Sequence, residues 1–181
     1  MTINEIISLD YWMIIPLFIV GSVLHFTYNW AKHNKKIAIF SAVNESYWEH
    51  IKIAFWPIFL LSLVEFILGG YNHASFIPAK TVSLYAIPIS MLAIVFSYKH
   101  FTKKNILFID ISAFLLTIII SQATSSLVMS QLNADGWLVL ISAVFLAFIF
   151  LAFIMFTKKP PKEPDFFRDP ITSKYGIKGH K

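Results

Sequence analysis

Residues 137–156 read Trp137-Leu-Val-Leu-Ile-Ser-Ala-Val-Phe-Leu-Ala-Phe-Ile-Phe-Leu-Ala-Phe-Ile-Met-Phe156. The run carries no charged side chain. At a rise of about 1.5 Å per residue it has the length an α-helix needs to cross the hydrocarbon core of a bilayer. It shows no alternation of polar and apolar positions, which argues against a barrel strand. In lipid the backbone must satisfy its own hydrogen bonds, and a single uninterrupted run does that as a helix.

Working outward, four more stretches read the same way: residues 106–126, 81–98, 45–68 and 11–30. The first span is bracketed by Tyr11 and Trp12 at one end and by Tyr28 and Trp30 at the other, the aromatic belts expected at two interfaces. Gly69-Gly70 stops the second span, and Pro88 is expected to bend the third. Asn133-Ala-Asp-Gly136 is a turn signal before the fifth. Residues 37–43 are apolar but too short to cross, so they are expected along the interface or under the bundle. The 181 residues are 57% hydrophobic and only 14% charged, too apolar for an ordinary soluble domain. The predicted fold is therefore all-α: an integral membrane bundle of five transmembrane helices over residues 1–157, followed by a Pro/Lys-rich tail, 158–181.

Residues 1–10 carry Glu5 and Asp10 and no basic residue, unlike the start of a cleaved signal, so the first span is read as retained. Of the 15 Lys and Arg, only Lys80 is read into a loop on the N-terminal side. Lys32, Lys35, Lys36, Lys99, Lys103 and Lys104 fall in the two opposite loops, joined by Lys158, Lys159 and Lys162. The positive-inside rule then puts the N-terminus outside and the C-terminus in the cytoplasm of a cell membrane. The net charge of +5 is accounted for by these flanking clusters, which favour anionic headgroups, and nucleic acid is not an expected partner. The absence of cysteine excludes disulfides, thiolate ligands and a Cys nucleophile. No phosphate loop, nucleophile elbow or His-Glu-x-x-His motif occurs.

Depth carries the functional inference. His25 near the inner end of span one, Glu45, Glu49 and His50 at the start of span two, and Asp110 one turn into span four all fall at one level of the membrane. Ionisable groups in spans are costly and normally face a bundle interior or a wet cavity, so this level is the candidate site. Gly21, His25 and Asn29 share one helical face, with Gly21 allowing a neighbouring helix close. His25, His50, Glu49 and Asp110 are the candidate catalytic residues, by general acid or base work. His25, Glu45, Glu49, His50 and Asp110 are the candidate ligands of a divalent metal, zinc, iron or manganese. Structural readings stand beside these. Ser46-Tyr-Trp-Glu49 fits a capping box, Asn44 is another capable cap, Glu45 complements the helix dipole, and Asp110 could simply accept a bond from a neighbouring helix. His33, His100 and His180 read as solvated. Nearer the outer face, Glu65 is expected to have no lysine nearby, with His73, Ser121 and Gln122 at comparable depth. It either reaches water at the border or titrates as a carrier residue would. Phe166, Phe167, Tyr175 and Ile177 give the tail a means of folding against the inner face.

The segments His25-Phe-Thr-Tyr-Asn-Trp30, Val43-Asn-Glu-Ser-Tyr-Trp-Glu-His50 with Phe55-Trp-Pro57, and Asp169-Pro-Ile-Thr-Ser-Lys-Tyr-Gly-Ile177 resemble a family of small bacterial multi-pass membrane proteins defined as a domain of unknown function. The resemblance spans essentially the whole chain and implies no particular activity. Ser46-x-x-x-His50 and Asp110 are also similar to two metal-site elements of alkaline-ceramidase-type membrane hydrolases, whose late His-x-x-x-His pair this chain lacks. The function expected is a membrane-embedded hydrolase or transferase acting on a lipid-type substrate. The alternatives are a small-solute or proton-coupled carrier and a non-catalytic accessory subunit.

Overall fold

A computed structural model describes residues 1–104 and 106–179, and the described residues form six helices and no strand. Helix α1 (Ile3–Trp12) and helix α2 (Ile14–Trp30) meet at Met13 with a bend of 50°. Helices α3 (Tyr47–Ile67), α4 (Phe76–Thr102), α5 (Leu107–Gln131) and α6 (Gly136–Lys158) follow, with short 3₁₀ turns in the connections and tail. Four of these helices are long and apolar enough to cross a membrane, five spans in all if the bent α1–α2 pair counts as one. Helix α4 runs unbroken through Pro88.

At two helix starts the departure from expectation relocates a charged residue, each for a local reason. The helix begins at Ile3 because Thr2 and Glu5 form a reciprocal capping box: Thr2 Oγ1 accepts from the Glu5 N–H at 3.3 Å, and Glu5 Oε2 accepts from the Thr2 N–H at 2.7 Å. Asp10 therefore lies inside a helix and is fully buried, rather than in a polar lead. Lys80 is likewise no loop residue. Pro78 sits in the first turn of α4, where its missing N–H costs nothing, so the helix is already under way and Lys80 is buried in it.

Helix α3 occupies the centre, packed by α2 and α4, while α4 and α5 form the most extensive helix pair. Helix α6 lies against α4, where Thr81 Oγ1 donates to Ser142 O at 3.1 Å and Tyr85 Oη donates to Phe145 O at 2.9 Å. Gly21 permits the close approach expected of it: a Cβ there would stand 2.7 Å from Phe114 Cζ and 2.9 Å from Ile53 O. Gly69, at φ +128°, turns the chain out of α3 so that the Met1 ammonium donates to Leu68 O at 2.8 Å.

The end of the bundle that carries the start of α3 closes with the tail. Trp48 stacks on Phe153 with centroids 4.6 Å apart, and buried Phe167 packs against Trp48 at 5.0 Å and Phe156 at 5.4 Å. Asp169 folds the tail into a tight hairpin, its Oδ1 accepting from the Ile171 N–H at 2.7 Å and its Oδ2 from Thr172 Oγ1 at 2.9 Å. Asn44 Nδ2 donates to Gly176 O at 2.9 Å and ties that hairpin to the α2–α3 loop. Residues 37–43 pack under the bundle, with Ala38 and Val43 buried beside Tyr28 and Ile177.

Candidate metal centre

The loop before α3 is shaped by two bonds. Asn44 Oδ1 accepts from the Ser46 N–H at 2.9 Å, and Glu49 Oε2 accepts from the Val43 N–H at 3.0 Å. With both neighbours so engaged, Glu45 projects back toward α2. Its Oε2 lies 3.4 Å from His25 Nε2 and 3.8 Å from His50 Nε2, and the two imidazoles face each other at 5.2 Å. The three ligand atoms all lie within 4.8 Å of one another. His25 and His50 are half-buried and Glu45 is more open, so the group is reachable yet partly shielded.

His50 Nδ1 lies 2.9 Å from Ser46 O. A carbonyl can only accept, so in the neutral ring that contact places the hydrogen on Nδ1 and leaves the Nε2 lone pair facing Glu45. The His25 hydrogen bond holds the Glu45 carboxyl below the usual carboxylate range, and at neutral pH it is an anion. Two imidazoles and a carboxylate suit zinc, and an ion about 2.0–2.2 Å from each tetrahedral ligand sets ligand atoms about 3.3–3.6 Å apart. The two contacts to Glu45 lie at or near that spacing, and small rotations of the rings would close the rest.

Asp110 stands apart from these three. It lines a cavity of about 160 Å³ with Glu45 and His50, and the Tyr98 hydroxyl donates to its carboxylate. A second cavity, of about 210 Å³, lies against His25, Asn29, Asn44 and Thr172. Glu45 and Ile171 border both cavities.

Glu49 does not join the site, and neither the ligand nor the capping-box reading describes it. It is buried and paired with Lys52, whose Nζ also donates to Ala38 O at 2.7 Å. The Ser46 side chain makes no capping bond. The expectation that Glu65 has no lysine nearby, or reaches water, is overturned too: it is fully buried with Lys80 Nζ 2.6 Å from Oε2. His73 Nε2 meets Met1 O at 2.9 Å, and Ser121 hydrogen-bonds Ser83 on α4. His33 and His100 are exposed, and His180 lies outside the described residues.

Sequence reasoning missed Lys52, Asp10 and the tail's Ile171. A lone lysine inside an apolar run, three residues after a glutamate, was a readable sign of a buried pair. Nothing comparable marked Ile171.

Apolar helices of membrane-spanning length, with imidazoles and a carboxylate gathered at one end of the bundle, define a helical membrane protein with a polar centre. Within that class the chain belongs to a family of unknown function (DUF6512), whose profile matches residues 1–177. No curated protein and no solved structure matches it.

Proposed function

We propose that this protein is a membrane-embedded metalloenzyme, a hydrolase or transferase acting on a lipid-type substrate at the cytoplasmic leaflet of the cell membrane. The observation that carries the reading is the convergence of His25 Nε2, Glu45 Oε2 and His50 Nε2, from two helices and a loop, within 4.8 Å. A divalent ion bound there would supply a Lewis acid and an acidified water in its open position. Asp110, across the cavity and oriented by Tyr98, is the candidate acid or base for proton transfer to the reacting group. The same cavity has apolar walls from Met91, Val95 and Phe114, which suit an acyl chain, while Asn29 and Asn44 beside the other cavity suit a polar headgroup. The lysine clusters at this end of the bundle favour a cytoplasmic orientation.

Metal analysis of the purified full chain, loaded with zinc, iron or manganese and then desalted, tests the reading. About one ion per chain is expected, as for a three-ligand site that keeps one position open, with near-complete loss in His25→Ala and His50→Ala and retention in Asp110→Asn. A folded wild-type protein that holds no ion after loading refutes it.

A further inference from the structure

At the opposite end of the bundle a second polar cluster is sealed from solvent. Lys80 Nζ on α4 lies 2.7 and 2.8 Å from the two carboxylate oxygens of Asp10 on α1, and 2.6 Å from Glu65 Oε2 on α3. From α5, Gln122 Nε2 donates to Asp10 Oδ1 at 3.0 Å and Ser125 Oγ donates to Asp10 Oδ2 at 2.9 Å. Asp10, Glu65, Gln122 and Ser125 are fully buried and Lys80 is nearly so.

Two counts fail to balance. The first is charge: two carboxyl groups face one ammonium, so the fully ionised cluster keeps an uncompensated negative charge at membrane depth, where such a charge is costly. The second is donors. Asp10 takes the aligned hydrogens of Lys80, Gln122 and Ser125, whereas neither Glu65 oxygen accepts an aligned hydrogen bond despite the short approach of Lys80, and Gln122 Oε1 accepts none. The cluster lacks one positive charge and at least one donor. In addition, the Glu65 and Asp10 carboxyls are drawn against the same ammonium, an arrangement that is repulsive between two carboxylates and eased once one carries a hydrogen.

We infer that Asp10, Glu65 and Lys80 form a proton-binding site, with one proton held on Glu65 and shared toward Asp10. The assignment to Glu65 follows from the donor count, since Asp10 is already saturated as an anion. A metal ion is a poorer fit, because it would have to sit against the Lys80 ammonium, which already lies within 2.8 Å of both carboxyls. Among the described residues, no further titratable side chain is bonded into the cluster: α5 offers Gln122 and Ser125, Glu5 on α1 is engaged at its own cap by Thr2, Tyr11 is exposed, Tyr85 on α4 donates to Phe145 O, and α2 and α6 carry their titratable residues toward their other ends. Beyond it, the Met1 ammonium is engaged by Leu68 O and the His73 ring by Met1 O. The buried Glu49–Lys52 pair supplies an internal contrast, since it matches one carboxylate with one ammonium and has no need of an added proton. This site is independent of the metal centre and survives its refutation.

Infrared spectroscopy of the purified full chain in lipid nanodiscs at neutral pH reads the proton directly. The expected result is the carbonyl stretch of about one protonated, solvent-shielded carboxyl group per chain, as a buried neutral acid gives. It should move with isotopically labelled glutamate but not with labelled aspartate, vanish in Glu65→Gln, and persist in Glu49→Gln. If the variants fail to fold, the labelling of wild-type protein decides alone. Absence of the band, its movement with labelled aspartate, or its loss on adding sodium would each overturn the inference.

Discussion

Replacing Lys52 by Met would remove the ammonium from a buried pair and leave Glu49 without its counter-charge among buried residues. Both side chains are essentially inaccessible, and after the change Glu49 keeps the Val43 N–H as a donor while Ala38 O loses its Lys52 bond. Breaking such a pair by removing one partner costs about 3–5 kcal/mol, mostly because the remaining charge has nothing to compensate it. For a chain of this size, about 2–4 °C of melting temperature accompanies each kcal/mol, so a fall of about 10 °C is expected. The neutral double variant Glu49→Gln/Lys52→Met removes both charges and preserves the acceptor for Val43. It should recover at least half of that loss, since an ion pair and a neutral substitute of similar volume often differ little. Thermal unfolding in detergent, followed by tryptophan fluorescence, reads both variants. A single variant as stable as wild type, or a double variant no better than the single, would show that the pair is not desolvated as described.

Two further outcomes are open to simple measurement. Phe167→Ala should loosen the tail, because a buried phenylalanine truncated to alanine forfeits about 3–5 kcal/mol of packing. Trypsin cleavage at Arg168 and Lys174 should then accelerate more than about tenfold, since cleavage follows the open population, and an unchanged rate would mean that Phe167 does not hold the tail. The chain contains no cysteine, so a single introduced thiol reports orientation without background. A membrane-impermeant maleimide should label Asn72→Cys in intact cells and Lys103→Cys only after lysis, and the reverse pattern would invert the proposed topology.

The spans were legible because the bilayer leaves so few solutions: uncharged runs of this length must be helices. Their ends were less so. Helix α1 began earlier than its hydrophobicity implied because a two-residue capping exchange, Thr2 with Glu5, started it in a polar segment. Pro78 read as loop chemistry although the same residue is equally at home in a first helical turn, and that misplacement hid Lys80 and with it the partner of Glu65. The convergence of His25, Glu45 and His50 followed from depth alone, since three groups at one level of a narrow bundle have few places to go. Glu49 shares that depth and pairs with Lys52 instead, because depth does not fix azimuth. On the first turn of α3 it faces the bundle core, where Lys52 and the Val43 N–H capture it. Residue types announced which groups were expensive to bury, but only three-dimensional packing decided which neighbour compensated each.

Ile171 and Glu45 border both chambers beside the imidazoles, so the C-terminal hairpin acts as a partition between two small rooms. A guest longer than either room must unseat it. What then comes loose is the Asn44 tether and the berth of Phe167 on Trp48, contacts that also brace the loop presenting Glu45. Occupancy of the pocket and anchorage of the C-terminal segment are thereby two faces of one equilibrium, and a ligand that fills both rooms should announce itself by making the hairpin easier to cut.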